Sequence, residues 1–99
     1  MSYKVTEENN ITTIYLNGEI DMDIVDKAKE EIIPIASSGK EVHLNLKDVQ
    51  YMDSSGISIL IESHQQAEEN NGKLVLKEIS KSVLKVIMMA KLELILNIE

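Results

Sequence analysis

Two hydrophobic periods alternate along this chain. Tyr3-Lys4-Val5-Thr6-Glu7 and Thr12-Thr13-Ile14-Tyr15-Leu16 alternate or carry β-branched residues, and Asn9-Asn10 between them is turn chemistry. The pair predicts a β-hairpin whose second strand is broken by Asn17-Gly18. From Met22 to Ile35 the period lengthens. Ile24, Val25, Ala28, Ile32 and Ile35 fall at three- and four-residue steps on one helical face, and Pro34 with Ser37-Ser38-Gly39 marks the end. Glu41 to Leu46 returns to period two, with Val42, Leu44 and Leu46 pointing one way and His43 and Asn45 the other. Lys47 to Asp53 reads as a connector.

After Ser55 the helical period resumes. Ile57, Leu60, Ile61 and His64 share one face, Glu62, Gln66 and Glu69 lie largely on the other, and Asn70-Asn71-Gly72 stops the helix. Leu74-Val75-Leu76 is a short buried strand. Ser80 starts a third helix carrying Val83, Leu84, Ile87 and Met88, and Leu92 to Ile98 reads as a closing strand. The order β-β-α-β-α-β-α-β predicts an α/β fold: a mixed sheet with an N-terminal hairpin, later strands parallel, and right-handed crossovers.

Composition narrows this without changing it. The 99 residues, 43% hydrophobic, suit one compact domain over residues 1–99. Apolar stretches are interrupted well short of the roughly 18 residues a membrane span needs, and the N-terminus has no signal pattern. With no cysteine there is neither a disulfide framework nor a thiolate metal site, and a cytoplasmic protein is expected. The net charge is -7, from 17 acidic and 10 basic residues, and the basic ones show no cluster in the sequence. A nucleic-acid partner is therefore disfavoured, and the absence of Trp and Phe leaves few stacking platforms. A basic protein partner, or plain solubility, fits that charge better.

The chemistry concentrates at "VQYMDSSGISIL", residues 49 to 60, where an apolar run stops at an acid, two serines and a glycine. A nucleophilic serine needs a histidine base within hydrogen-bond reach. His43 falls mid-strand, and His64 lies ten positions beyond Ser54, about 15 Å along a helix. The flanks are not a Gly-x-Ser-x-Gly elbow either, so no catalytic residue is expected. Asp21 and Asp23 read as helix-start acids before they read as metal ligands, no phosphate-cradling Gly-rich loop appears among four scattered glycines, and no cofactor is expected. The five Met read mainly as gap-fillers, with Met88-Met89 the pair that could face solvent. Asp53 or a serine suffices as an N-cap. Two hydroxyls and Gly56 exceed what capping needs, and Gly56 is expected to leave the first turn open to another protein.

Three segments carry a resemblance: "GEID" from Gly18 to Asp21, "VHLNLKDVQYMDSSGI" from Val42 to Ile57, and "NGKLVL" from Asn71 to Leu76. In order and spacing they resemble a STAS domain, and more narrowly the bacterial anti-sigma factor antagonists. The resemblance implies a non-enzymatic switch. The serine after the motif acid, here Ser54, would be phosphorylated by a partner that is both anti-sigma factor and serine kinase. The unphosphorylated form would bind that partner and release the sigma factor, and a phosphatase would reset it. Asp21 and Asp53 match the family's acids beside the phosphoacceptor, so Asp21, Asp53, Ser54, Ser55, Gly56 and Ser58 form the expected switch surface of a monomer. Many relatives carry an aliphatic residue and then a second Gly after Ser-Ser-Gly, where this chain has Ile57-Ser58. The extra hydroxyl suggests a second phosphosite or an altered contact. Relatives also often continue into a closing helix beyond the point where this chain reaches Glu99. The alternative implied role is a constitutive scaffold of the stressosome type, or a small-ligand sensor, not regulated by phosphorylation.

Overall fold

The computed structural model describes residues 3–99. Five strands form one sheet in the order β1-β2-β3-β4-β5: β1 (Lys4–Glu8), β2 (Ile11–Ile20), β3 (Glu41–Met52), β4 (Lys73–Lys77) and β5 (Asn97–Ile98). The first pair is antiparallel and the other three are parallel, joined through α1 (Val25–Ala36), α2 (Ser54–Glu69) and α3 (Lys81–Met89). The mixed sheet and element order expected from the hydrophobic pattern are present.

The hairpin turn follows from its residues. Asn9 and Asn10 both adopt positive φ, 54° and 66°, so Glu8 pairs directly with Ile11 across a two-residue turn whose twist suits the strands. Residues of one sheet face, among them Ile14, Val42, Leu44, Leu74 and Leu76, form a single buried cluster with Ala28 and Ile32 of α1, Ile59 and Leu60 of α2, and Val83 and Ile87 of α3. All three helices therefore cover the same side of the sheet. Thr13, Tyr15, His43 and Lys77 alternate onto the other, polar face.

Several sequence expectations need correction. Asn17-Gly18 does not end β2. The strand bulges there, with register shifts on both sides of the pair and Gly18 at φ 75°, and runs on to Ile20. Lys47 to Met52 is not a connector, because that stretch pairs with the prolonged β2 from Asn17↔Asp48 to Ile20↔Met52. The bulge re-aligns the two strands and so conceals the period-two signal. Helix α1 starts three residues later than expected and carries Pro34 in its last turn, on the exposed side.

The fully buried stripe of α2 is Gly56, Ile59, Leu60, Ser63 and Ala67, one step round from the expected Ile57, Leu60, Ile61 and His64. Small residues hold the closest approach, which a search for large apolar residues overlooks. The last segment is not one strand: Lys91 turns left-handed at φ 60°, Leu92–Leu94 is a 3₁₀ turn, and β5 pairs only at Val75↔Asn97 and Leu76↔Ile98.

Candidate functional site

Because β2 and β3 run parallel and finish side by side at Ile20↔Met52, Asp21 and Asp53 leave the carboxyl ends of adjacent strands. In open α/β sheets such strand ends are where binding sites form. The Asp53 N–H donates to the Ile20 carbonyl oxygen at 3.4 Å, tying the two exits together. Asp53 is extended (φ -112°, ψ -164°) and acts as the N-cap of α2. Its Oδ1 accepts from the Ser55 N–H at 2.8 Å, and its carbonyl accepts the first helical bond, from the Ile57 N–H at 3.0 Å.

Capping thus occupies Asp53 and leaves the serines to be explained. Ser54 is the first helical residue and is exposed, and its hydroxyl takes part in none of the side-chain hydrogen bonds of the described residues. Ser55 is half-buried, and its carbonyl accepts from the Ser58 hydroxyl at 2.6 Å. The hydroxyl of Ser58 is therefore spent on its own helix. Gly56 does not open the first turn to a partner, contrary to expectation. It is buried, and a Cβ there would fall inside the envelope of Met52 Cγ and 3.0 Å from the Ile20 carbonyl oxygen. Its role is to let α2 seat on the ends of β2 and β3.

Asp21 does not cap α1. Its Oδ1 accepts from the Asp23 N–H at 3.0 Å, shaping the turn before the helix, whose own N-cap, Ile24, makes no side-chain cap. Asp23 and Asp26 are exposed, as is Glu19 on the last stretch of β2, so the β2–α1 exit is acidic. Among the described residues no three His, Asp or Glu side chains stand close enough to hold a metal ion.

A feature that sequence reasoning missed lies on the other side of Ser54. The Ser80 hydroxyl donates to the Val49 carbonyl at 2.8 Å and the Ser82 hydroxyl to the Gln50 carbonyl at 3.2 Å, docking the start of α3 on the outer half of β3. The later turns of α3 then flank the start of α2. Ser54 and Ile57 with Val86, Met89 and Ala90 line a shallow apolar hollow of about 380 Å³. Met89 is 76% exposed, Met22 beside Asp21 also 76%, and Tyr51, two residues before Asp53, 50%. The adjacent Met88-Met89 was the available sequence signal, but it needed the docking of α3 to place it near Ser54.

The histidines lie away from Ser54. His43 Nε2 is 2.6 Å from Glu41 Oε2 on the polar sheet face, nine strand residues before Met52, or about 30 Å. His64 lies ten helical positions on, about 15 Å away, with Nδ1 enclosed and unpartnered. Neither can serve Ser54 as a base.

The sequence model of the STAS domain matches residues 2–99. The anti-sigma-B factor antagonist of Bacillus subtilis is 28% identical over 94 residues, which span 95% of this chain and 86% of that protein. The fold superposes on the anti-sigma factor antagonist SpoIIAA in its unphosphorylated form (TM-score 0.75, 20% identity, 99% of this chain and 87% of that one). It also superposes on the Bacillus cell fate determinant SpoIIAA in the phosphorylated form (TM-score 0.73, 21% identity, 99% and 91%).

Proposed function

The chain belongs to the STAS domain family, and on that premise we propose that it is an anti-sigma factor antagonist switched by phosphorylation of Ser54. The observation that carries the reading is the state of that side chain: exposed, first in its helix, and free of hydrogen bonds while Asp53 does the capping. The relatives named as anti-sigma factor antagonists support it. In this reading the protein is no enzyme. It is the substrate of a partner that is both anti-sigma factor and serine kinase, and of a phosphatase that restores the hydroxyl, all in the cytoplasm. No helix of the described residues is long and apolar enough to cross a membrane.

The physics of the switch is local. A phosphate adds about -1.5 to -2 charges at neutral pH. At the first position of α2 it meets the positive end of the helix dipole and the first-turn N–H groups that the Asp53 cap leaves unpaired, which tolerate it. Towards a partner the same group places a hydrated dianion at the mouth of an apolar hollow, beside Asp53 and the acidic β2–α1 exit. Desolvating it costs a partner a few kcal/mol, and each 1.4 kcal/mol weakens binding tenfold. The surface can change affinity with no movement of the backbone.

Trypsin releases Ser54 in the peptide Asp48–Lys73, which also contains Ser55, Ser58 and Ser63. Fragmentation of that peptide from protein isolated from its native host should place one phosphate on Ser54. Phosphate on another of these serines, or equal labelling of Ser54→Ala by the host's kinase fraction, contradicts the assignment. Unmodified protein throughout growth would leave the constitutive scaffold as the better account.

A further inference from the structure

The outer face of α3 carries a charge and an apolarity that the Ser54 reading does not use. No acid occurs between Glu78 and Glu93, whereas Lys81, Lys85 and Lys91 all fall there, in a chain of net charge -7. In sequence these lysines look scattered. Helical spacing puts Lys81, Leu84, Lys85, Met88 and Met89 at i, i+3, i+4, i+7 and i+8, and together they line an open apolar hollow of about 450 Å³. None of the three lysines takes part in the salt bridges of the described residues, which join Lys29–Glu62, Lys40–Glu7, His43–Glu41 and Lys77–Glu99. Met88 is 54% exposed, Met89 76%, Leu94 80% and Ile95 60%, so four large apolar side chains face solvent within eight residues. The core needs none of them, because α3 is anchored by Val83 and Ile87.

From this we infer that the outer face of α3 is a docking site for an acidic amphipathic helix of a partner protein. The charge distribution selects that occupant. A helix is about 10–12 Å across and can lie along the lysine-rimmed stripe, with its apolar residues against Leu84, Met88 and Met89 and its acids against Lys81 and Lys85. It then lies on the side away from Glu93 and Glu99, which share a second hollow with Leu84 and Met88. A flat anionic bilayer, or a second copy of net charge -7, also meets the acidic remainder of the molecule within a Debye length or two. Methionine suits the site because its flexible, polarisable side chain adapts to a partner's contour. The site adjoins the Ser54 hollow through Met89, yet its chemistry does not depend on a phosphate there.

The test uses the full chain and a synthetic Ala-rich helix of about 18 residues, with Leu on one face and Glu only along its two flanks. Titrated into isotopically labelled protein, it should shift the amide resonances of Lys81–Met89 and bind less tightly as salt is added. Lys81→Glu with Lys85→Glu should weaken it about tenfold. Both positions are exposed and Glu is about as good a helix former as Lys, so that variant stays folded. Met88→Gln should weaken binding with the charges intact, and Ser54→Ala should leave it unchanged, which keeps this test separate from the phosphorylation one. Equal binding of a peptide with Lys in place of Glu overturns the proposal. So does preferential binding to phosphatidylglycerol vesicles through the same lysines, or a dimer in sedimentation that Lys85→Glu disperses.

Discussion

Asp53 and Ser54 divide a task that the sequence leaves undivided. Either residue type is a good N-cap, and the motif alone does not say which one caps. The 2.8 Å bond from the Ser55 N–H to Asp53 Oδ1 assigns the cap to the acid and releases the serine. Their substitutions should therefore separate cleanly. Asp53→Ala removes the side-chain acceptor and should cost about 1 kcal/mol of stability in urea unfolding. Ser54→Ala removes a hydroxyl with no partner and should stay within about 0.5 kcal/mol of the parent. A comparable loss from Ser54→Ala would mean that the hydroxyl is structural, and the case for a free phosphoacceptor would weaken with it. Ser58 shows the opposite situation. Its bond to the Ser55 carbonyl ties that hydroxyl to its own helix, where the Ser54 hydroxyl has no such partner.

At the scale of elements, the legible parts of the fold were those whose signal is local. Asn9-Asn10 specified its turn, the α1 stripe specified a helix, and Val42, Leu44 and Leu46 specified a core strand. What escaped were features set by neighbours. The bulge at Asn17-Gly18 makes sense only once β3 lies alongside, and Gly56 only once Ile20 and Met52 press against it. In sequence Gly56 reads as a gap for a partner, and in the fold it is a point of closest packing. Gly56→Ala tests which description is right. Ala gains up to about 1 kcal/mol in helix propensity. Against that, its Cβ must displace Met52, which is 3% exposed, and press on the Ile20 carbonyl, and overpacking of this kind costs about 1–3 kcal/mol. A net loss of stability is expected, with α2 pushed off the strand ends. A stabilised variant would restore the open-turn reading. The candidate site is legible as a motif, Asp53 to Gly56, but the hollow formed with Val86, Met89 and Ala90 needs α3 docked by Val83, Ile87 and its two serine bonds to β3.

For the molecule as a whole, one buried group contributes to how stability answers to pH at the alkaline end. Tyr3 is 5% exposed and belongs to the hydrophobic cluster, and its hydroxyl has no protein partner. Its backbone N–H donates to Glu31 Oε1 at 2.9 Å, clipping the start of the chain onto α1 and bringing a carboxylate beside the ring. Burial, and then the Glu31 charge, push the phenol above its ordinary value of 10.0. The sign follows. Below about pH 10 the phenol is neutral folded or unfolded and contributes no pH dependence. Above that, the unfolded chain releases its proton while the folded one retains it, so stability falls with rising pH until the folded phenol ionises too. Tyr3→Phe should remove this component of the alkaline slope in denaturant midpoints measured from pH 9 to 11. Near neutral pH the same substitution should be neutral or stabilising by up to about 1 kcal/mol, because it deletes a buried polar group without deleting a bond. An unchanged alkaline slope in Tyr3→Phe would place the responsible group elsewhere, and a large loss at pH 7 would mean that the hydroxyl bonds in solution. Because Tyr3 clips the edge strand β1 to α1 and Ser54 begins α2 after the central strand β3, the variant should leave phosphorylation of Ser54 intact.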